Sequence, residues 1–221
     1  MPHPVHPVHP SPSPPAYPSP AELRTAFTLA AKPDGRAWPD HADFADFDTA
    51  GRVCGRAPLV GLPGWTCEDA GRVLALAELA ARRPDTDMSA RLRTLYWRGD
   101  THQRRAVVRA LSYPAIAAGD TALASSLIED ALLGDDPGLV AAAMGPCAAA
   151  LDDAAWRRGV LKCATLGLPL RRVVTALDER ADTELARGLA DFAARRRAAG
   201  GSVAADVSAL AARAAVTAAE H

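Results

Sequence analysis

The sequence predicts an all-α fold, arranged as a stack of short antiparallel helix hairpins. Apolar residues recur at helical spacing, most clearly at Met88, Leu92, Leu95 and Tyr96, which would share one face of a helix. Apolar and polar residues nowhere alternate over a sustained stretch, so no strand is predicted. Capping residues and Gly or Pro breaks follow one another at short intervals, which favours short helices joined by tight loops. Successive helix pairs suggest a HEAT-like α-α superhelix in a single domain, although no sequence repeat is evident.

Capping residues mark the starts of the predicted helices. Each is a Ser, Thr or Asp whose side chain can accept a hydrogen bond from the backbone of the first turn. In chain order they are Ser19, Thr66, Asp100, Asp120, Asp136, Asp152 or Asp153, and Asp182. Ser19 and Asp100 are followed by Glu22 and Gln103 at the capping-box position. Gly and Pro residues mark the ends, near residues 33–35, 84, 99, 145–146, 167 and 200–201.

The apolar faces indicate how deeply each helix is buried. Most helices carry a narrow stripe, which is typical of a helix with one face on the core. These stripes include Leu23 and Phe27; Phe44, Phe47 and Cys54; Val107, Val108 and Leu111; Leu123, Leu127 and Ala131; Leu185, Leu189 and Phe192; and Val207 and Leu210. The helix after Thr66 differs, because its apolar residues cover a wide arc between Val73 and Ala80. We therefore expect that helix to be central.

Residues 1–19 differ from the rest of the chain in composition. They read MPHPVHPVHPSPSPPAYPS, and Pro both lacks a backbone donor and disfavours helix before it. This segment is predicted to be a disordered or polyproline II tail, which leaves residues 20–218 as one helical domain. In polyproline II, His3, His6 and His9 would line one edge. The segment is therefore either an extension without a function of its own or a tail that binds a metal or is bound by a Pro-recognition domain.

The charge balance argues against a general nucleic-acid-binding protein. The chain has 25 Lys and Arg against 26 Asp and Glu, a formal net charge of −1, whereas such proteins carry a basic excess. Two Arg-rich faces, at residues 104–109 and 195–197, raise the possibility of phosphate contacts. Acidic residues are interleaved throughout the chain, so no nucleic-acid partner is predicted.

The cysteines do not form a metal-binding pattern. Cys54, Cys67, Cys147 and Cys163 include no C-x-x-C pair, so they are interpreted as small buried apolar residues, and no metal is predicted. Four scattered thiols favour a reducing compartment. No apolar run reaches the roughly 18 residues of a membrane span, and no signal peptide is evident. The sequence therefore predicts a cytoplasmic protein with no direct membrane span.

The candidate functional residues lie between Trp156 and Asp182. On a helical wheel, Lys162 lies one turn after Arg158 on the polar side of the Trp156 helix. Three interpretations are open for Lys162: a solvated side chain, an ion pair with Asp178 across the hairpin, or a catalytic group. The candidate interaction residues, interpreted as a charged clasp between consecutive helices, are Lys162, Asp178, Arg180, Trp156, Asp182 and Arg158. We predict no catalytic residue and no cofactor, because no companion nucleophile, metal set or Gly-rich phosphate loop is present.

Residues 155–203 resemble the characteristic part of the EboA domain family. The matching positions are Trp156, Val160-Leu161-Lys162, Leu177-Asp178, Arg180-Ala181, Glu184-Leu185-Ala186 and Ala198-Ala199-Gly200. Earlier stretches also look like the family, so that the resemblance covers roughly residues 20–205. The chain departs from the pattern at three places. It reads Gly145-Pro146-Cys147-Ala148, Arg157-Arg158 and Asp182 where we expect Asn-Pro-Tyr-Pro, Asn-Gln and Asn. These departures indicate a divergent member.

The resemblance implies a pathway context and no particular reaction. Family members look like all-helical proteins encoded beside a prenyltransferase-like membrane protein and several enzymes of secondary metabolism. The expected function is a non-catalytic scaffold or adaptor in secondary-metabolite biosynthesis or precursor export. Its partners would be proteins of the same gene cluster, including the membrane prenyltransferase-like protein. The alternative is a protein that binds a prenyl or aromatic metabolite, or an unrecognised enzyme, with an apolar pocket lined by Trp65, Trp97 or Trp156.

Overall fold

The computed structural model describes residues 17–30, 44–83, 86–117 and 119–219, with side chains except at 44–46 and 214–219. Within these ranges the chain forms thirteen α-helices, one 3-10 helix and no β-strand. The predicted all-α fold is therefore confirmed, whereas the HEAT-like stack stays a prediction. His3, His6 and His9 lie outside the described residues.

The helices are short and follow one another closely. They are α1 (Pro20–Ala30), α2 (Phe44–Val53), α3 (Cys67–Arg82), α4 (Met88–Arg98), α5 (Thr101–Ala110), α6 (Pro114–Ala117), α7 (Thr121–Leu133), α8 (Pro137–Ala143), α9 (Asp153–Thr165), α10 (Leu170–Val173), α11 (Leu177–Arg180), α12 (Thr183–Ala198) and α13 (Ala205–Ala219). The 3-10 helix, Pro146–Ala150, lies between α8 and α9.

The predicted capping residues are confirmed at seven helix starts. The side chains of Thr66, Asp100, Asp120, Asp136, Asp152 and Asp182 each accept a hydrogen bond from a backbone N–H in the first turn. Asp100 and Gln103 form a complete capping box, and Ser19 and Glu22 bond to each other in the same way. These bonds satisfy backbone donors that the helix itself leaves free. They explain why the helices begin where they do.

Helix α3 is central to the first half of the domain, as its wide apolar arc predicted. It contacts α1, α2, α5 and α6. Ala70 and Val73 are completely buried, and Leu74, Ala75 and Leu76 nearly so. A helix that packs on several sides also buries its charged residues. The candidate functional site therefore lies along α3.

Packing then continues in chain order towards the C-terminus. α5 contacts α4 and α8, α8 contacts α7 and α9, α9 contacts α12, and α12 contacts α13. One continuous cluster of buried side chains extends from Leu23 in α1 to Leu210 in α13. Trp156 and Tyr96 are its largest fully buried members.

Residues 17–19, the end of the predicted tail, contact the domain. The Tyr17 hydroxyl donates to the carbonyl of Arg109, and the Tyr113 hydroxyl donates to the carbonyl of Pro18. The Tyr17 ring meets the Trp65 ring edge-on, with 5.4 Å between centroids. The chain thus enters the domain across the end of α5. Among the described residues, no helix combines the length and apolarity needed to cross a bilayer.

Candidate functional site

Helices α3 and α5 bring six ionisable side chains together inside the domain. Glu68, Asp69 and Arg72 lie in the first two turns of α3, and all three are buried. Helix α5 contributes His102, Arg105 and Arg109, whose spacing of three and four places them on one face. Because α3 and α5 pack against each other, the two sets face one another. We call these six residues the buried charged cluster.

Glu68 is the hub at one end of the buried charged cluster. Its Oε2 lies 3.1 Å from Nη1 of Arg72, one helical turn later. Its Oε1 lies 3.1 Å from Nδ1 of His102 and 3.7 Å from Nη2 of Arg105. Arg72 also donates to the carbonyl of Phe47 in α2. This end of the cluster therefore joins α2, α3 and α5.

Asp69 holds the other end. Its Oδ1 accepts from Nε of Arg105 at 2.9 Å, and its Oδ2 accepts from the Thr66 hydroxyl at 2.9 Å. The second guanidinium, that of Arg109, lies 3.9 Å from Oδ2. A carboxylate completely removed from water costs several kcal/mol unless it is paired and hydrogen-bonded. Asp69 meets both conditions.

Arg109 connects the buried charged cluster to the surface. Its guanidinium donates to the carbonyl of Gly64 and lies over the Trp65 ring, 4.2 Å from the centroid. Its Nε has no hydrogen-bond partner among the described residues. Burial lowers the pKa of Arg109, and the nearby Asp69 carboxylate opposes that shift. Arg109 is thus a buried cation with unused donor capacity.

The ion pairs of the cluster do not balance in charge. Glu68 and Asp69 face three guanidiniums, those of Arg72, Arg105 and Arg109, which are all largely buried. Glu68 also lies 3.5 Å from Nε of the exposed Arg56, so guanidiniums outnumber carboxylates in the ion-paired set. A buried unpaired charge is costly in a folded protein.

An open cleft begins where Arg109 reaches the surface. It has a volume of about 320 Å³, within the range of small-molecule sites. Its lining residues are Tyr17, Pro18, Gly61, Leu62, Pro63, Gly64, Trp65, Arg109, Ala141, Ala142, Gly145, Pro146, Arg172, Val173, Val174 and Thr175. We call it the Arg109 cleft. Its described lining contains two arginines, no carboxylate, and otherwise mostly apolar or small residues.

Two loops form the walls of the Arg109 cleft. The loop before α3 is closed by backbone hydrogen bonds, from Leu59 N to the Trp65 carbonyl and from Cys67 N to the Ala57 carbonyl. Its turn uses Gly64, whose φ of 79° suits glycine. The opposite loop is tied by a bond from Thr175 N to the carbonyl of Met144. Its next residue, Ala176, has a φ of 57°, a conformation that costs about 1–2 kcal/mol for an L-residue.

In the region of the predicted clasp, Arg180 makes the contacts between elements. Its guanidinium donates to the carbonyls of Ala148 and Leu151, at 3.2 and 3.0 Å, at the end of the 3-10 helix. It also donates to Asp153 and lies over the Trp156 ring, 4.9 Å from the centroid. The hydrogen bond from Arg180 lowers the pKa of Asp153. Arg180 thus joins α11 to the start of α9.

Asp182 completes the clasp from the start of α12. It caps that helix through Leu185 N. Its free carboxylate oxygen lies 3.3 Å from Nε of Arg157, whose Nη1 lies 2.9 Å from Glu184. Of the residues proposed for the clasp, Arg180 therefore contacts Trp156, whereas Asp182 contacts Arg157.

Lys162 does not pair with Asp178, which corrects one interpretation of the sequence. The Lys162 ammonium pairs with Asp135, in the loop after α7, and Asp178 pairs with Arg171 at 3.0 Å. The physical reason is the direction of the α9 side chains. The face that carries Lys162 and Arg158 turns towards α7, whereas the α10–α11 segment lies over another face.

Lys162 and Arg158 instead line a surface groove with Trp97. This groove of about 470 Å³ is lined by Trp97, Ser126, Glu129, Asp130, Leu132, Leu133, Ala155, Arg158 and Lys162. We call it the Trp97 groove. Trp97 is 50% exposed and Leu133 is 81% exposed. Of the tryptophans proposed to line a pocket, Trp65 lies in the Arg109 cleft, Trp97 in this groove, and Trp156 is buried.

The cysteines are free thiols, and Cys67, Cys147 and Cys163 are buried. Burial raises the pKa of Cys147 to about 11 and that of Cys163 to about 12. The thiolate is the reactive form of cysteine. Both groups are therefore protonated at neutral pH. In the described ranges, no three or more His, Cys, Asp or Glu side chains group as a metal site would require.

Sequence reasoning missed the buried charged cluster, although a signal was present. From the sequence, Glu68 and Asp69 have the positions of favourable charges in the first turn of a helix, and Arg105 and Arg109 belong to one of the two Arg-rich faces. The helix that carries Glu68 and Asp69 was, however, predicted to be central. Charged residues on a helix that is buried on all sides need buried partners of opposite charge. Arg105 and Arg109, which are four residues apart on one helix, are suitable partners.

Fold and site together define a class: an all-α protein with a buried ionic cluster that opens onto a basic cleft. The chain matches the family model described as "Metabolite traffic protein EboA" over residues 60–211, and it belongs to the EboA family. The family description fits a metabolite-related role. No curated protein matches the chain, and neither does any solved structure.

Proposed function

We propose that this chain is a non-catalytic helical adaptor in metabolite traffic, acting in the cytoplasm on secondary metabolites or their precursors. It binds a partner protein encoded in the same gene cluster, such as a membrane prenyltransferase-like protein. The observation that carries the proposal is the Trp97 groove, in which two of the candidate interaction residues meet exposed apolar side chains. The family description supports the link to metabolites.

The Trp97 groove has the composition of a protein-binding surface. Tryptophan and arginine are enriched among residues that dominate binding energy, and exposed apolar patches rimmed by charge mark interaction sites. Trp97 and Leu133 supply the apolar surface. Arg158 is exposed and makes no ion pair with any described residue. The groove therefore fits a partner segment that presents an apolar side chain next to a carboxylate.

Cys147 and Cys163 are poor candidates for a covalent nucleophile. Cys147 and Cys163 keep their protons at neutral pH because burial raises their pKa values. A protonated thiol is a poor nucleophile. Lys162, the residue considered for catalysis, is instead engaged in an ion pair with Asp135.

Binding to purified products of the neighbouring genes tests this proposal. We expect Leu133→Ser and Arg158→Glu each to weaken binding of the full-length chain by more than about tenfold, as measured by biolayer interferometry. Both side chains are exposed, so the variants should keep the circular dichroism spectrum of the native chain.

Leu29→Ser is the matched control, because Leu29 is also a large exposed apolar residue, 62% accessible, but lies on α1 away from the groove. It should bind the partner like the native chain. Equal binding by all three variants would exclude the Trp97 groove. Failure of every neighbouring gene product to bind would overturn the adaptor proposal itself.

A second candidate function is metabolite binding, and the Arg109 cleft favours it. The volume of the cleft suits a small organic molecule, and its lining is mostly apolar with two basic side chains. An adaptor for metabolite traffic can also hold the metabolite, so the two candidates are compatible.

A further inference from the structure

We infer that the Arg109 cleft binds a small organic anion, whose carboxylate or phosphate oxygens contact Arg109 and Arg172 and whose flat apolar part lies against Trp65. This inference rests on the second candidate function, metabolite binding, and does not depend on the adaptor proposal. It follows from the charge, the lining and the anchoring of the cleft.

The charge of the site selects an anion. Arg109 and Arg172 line the cleft, and no carboxylate does so among the described residues. Behind Arg109, the ion-paired set holds two carboxylates, three largely buried guanidiniums and the exposed guanidinium of Arg56, so positive charge is in excess. An anion in the cleft supplies the missing counter-charge in a place of reduced solvent access, where such an interaction is stronger than in bulk water. Guanidinium groups suit carboxylate and phosphate oxygens because they present several donors in one plane.

Arg109 is buried and held in a fixed position, which distinguishes this site from a patch of surface arginines. The Arg109 side chain is only 9% exposed, and Asp69, Trp65 and the Gly64 carbonyl hold it in place. Its donors are not all used, because Nε has no partner among the described residues. A fixed cation loses little conformational entropy on binding. Arg172 is exposed and can adjust to the ligand.

The apolar lining selects a ligand with a flat or branched hydrocarbon part. Trp65, Tyr17, Val173 and Val174 are among the residues that line the cleft. Trp65 is held by Arg109 on one side and meets the Tyr17 ring edge-on. Burying apolar area of the ligand contributes roughly 25 cal/mol per Å², so the ligand gains affinity from both halves of the site. A purely inorganic anion would contact the arginines but would gain nothing from the apolar lining.

A pair of fluorescent probes separates the contribution of the ligand's charge from that of its apolar part. 1-Anilinonaphthalene-8-sulfonate carries an aromatic body and an anionic group, and N-phenyl-1-naphthylamine carries the same body without the charge. We expect the full-length chain to bind the sulfonate at least about tenfold more tightly than the neutral probe. Raised salt should weaken binding of the sulfonate and leave binding of the neutral probe unchanged.

Adjacent arginines provide a matched pair of variants. Arg172→Gln removes a charge from the cleft, whereas Arg171→Gln removes a charge from the neighbouring residue, which pairs with Asp178 and does not line the cleft. We expect Arg172→Gln to weaken binding of the sulfonate about fivefold and Arg171→Gln to leave it unchanged. Both positions lie near the surface, so both variants should fold.

Filling the cleft gives an independent measurement. Ala141 lines the cleft from α8 and is half-buried. Ala141→Phe should abolish binding of the sulfonate without any change of charge. Leu133→Ser, in the Trp97 groove, should bind the sulfonate like the native chain, which separates this site from the proposed partner surface.

Displacement identifies the anionic group. Benzoate and phenyl phosphate should displace the sulfonate, and the tighter of the two assigns carboxylate or phosphate, whereas benzyl alcohol should not displace it. Equal binding of charged and neutral probes overturns the inference. Binding that survives Ala141→Phe, or that is insensitive to Arg172→Gln, also overturns it. Neither result changes the partner-binding measurement, so failure here and failure of the adaptor proposal can be told apart.

Discussion

Arg180 illustrates how one side chain can replace a hydrogen-bond network at a helix junction. It donates to two backbone carbonyls of the 3-10 helix end, pairs with Asp153 and covers the Trp156 ring. The guanidinium is suited to this position because its donors lie in a rigid plane and its face can stack on an aromatic ring. Arg180 therefore makes several of the polar contacts at the junction between α9 and α11.

Arg180→Ala is expected to lower the free energy of unfolding by about 1–3 kcal/mol, because the carbonyls of Ala148 and Leu151 each lose a hydrogen bond and the Trp156 indole loses its stacked guanidinium. Urea denaturation measures this change. Arg171→Ala and Lys162→Met are the controls, since each side chain makes one ion pair with an exposed carboxylate. They should each cost less than about 1 kcal/mol. A cost for Arg180→Ala no larger than for the controls would show that Arg180 does not hold the junction.

At the scale of elements, helix α9 approaches its neighbours closely through Gly159. A Cβ at this position would lie 2.3 Å from Sδ of Met144, a completely buried side chain. Gly188 in α12 also lies inside a helix, but a Cβ there would meet only the end of Leu161, at 3.2 Å, and Leu161 is half-buried. The same substitution therefore has opposite consequences in two helices.

Gly159→Ala is expected to destabilise the protein by about 1–3 kcal/mol, because the completely buried Met144 side chain must shift to admit the new methyl group. Gly188→Ala should be neutral or stabilising by up to about 1 kcal/mol, because alanine has the higher helix propensity. Thermal unfolding of both variants gives the comparison. Equal effects of the two substitutions would mean that the α9 contact can relax.

At the scale of the whole molecule, the described helices share one core that buries the thiols of Cys67, Cys147 and Cys163. Cys147 and Cys163 come from different elements, the 3-10 helix and α9, and both belong to this core. Their pKa values of about 11 and about 12 differ from the value of about 8.5 for a thiol in an unfolded chain. The stability of the domain is therefore linked to alkaline pH.

Stability should be constant up to about pH 8.5 and fall above it. Above that value the unfolded chain loses thiol protons, while the folded chain keeps them until pH 11–12. The loss should reach roughly 1–2 kcal/mol for each thiol by pH 10. Urea denaturation from pH 7 to pH 10 measures it, and Cys147→Ala and Cys163→Ala should each make the slope shallower. An unchanged slope in both variants would contradict this account.

The sequence by itself determined the all-α class, the capped starts of the helices and the central position of α3. These features depend on interactions within a few residues, or on the apolar pattern of one helix. The caps at Asp100 and Asp182 are examples. The sequence did not determine how the charged residues between Trp156 and Asp182 pair, since Lys162 contacts Asp135 and not Asp178.

Only the tertiary structure decided which charges are buried and which surfaces remain open. Arg105 and Arg109 have the sequence pattern of an exposed basic face, yet packing of α5 on α3 encloses them with Glu68 and Asp69. The physical reason is that an ion pair between helices depends on how two faces meet, and the meeting of faces is a property of the packed core. The Arg109 cleft and the Trp97 groove arise in the same way, from segments far apart in the chain.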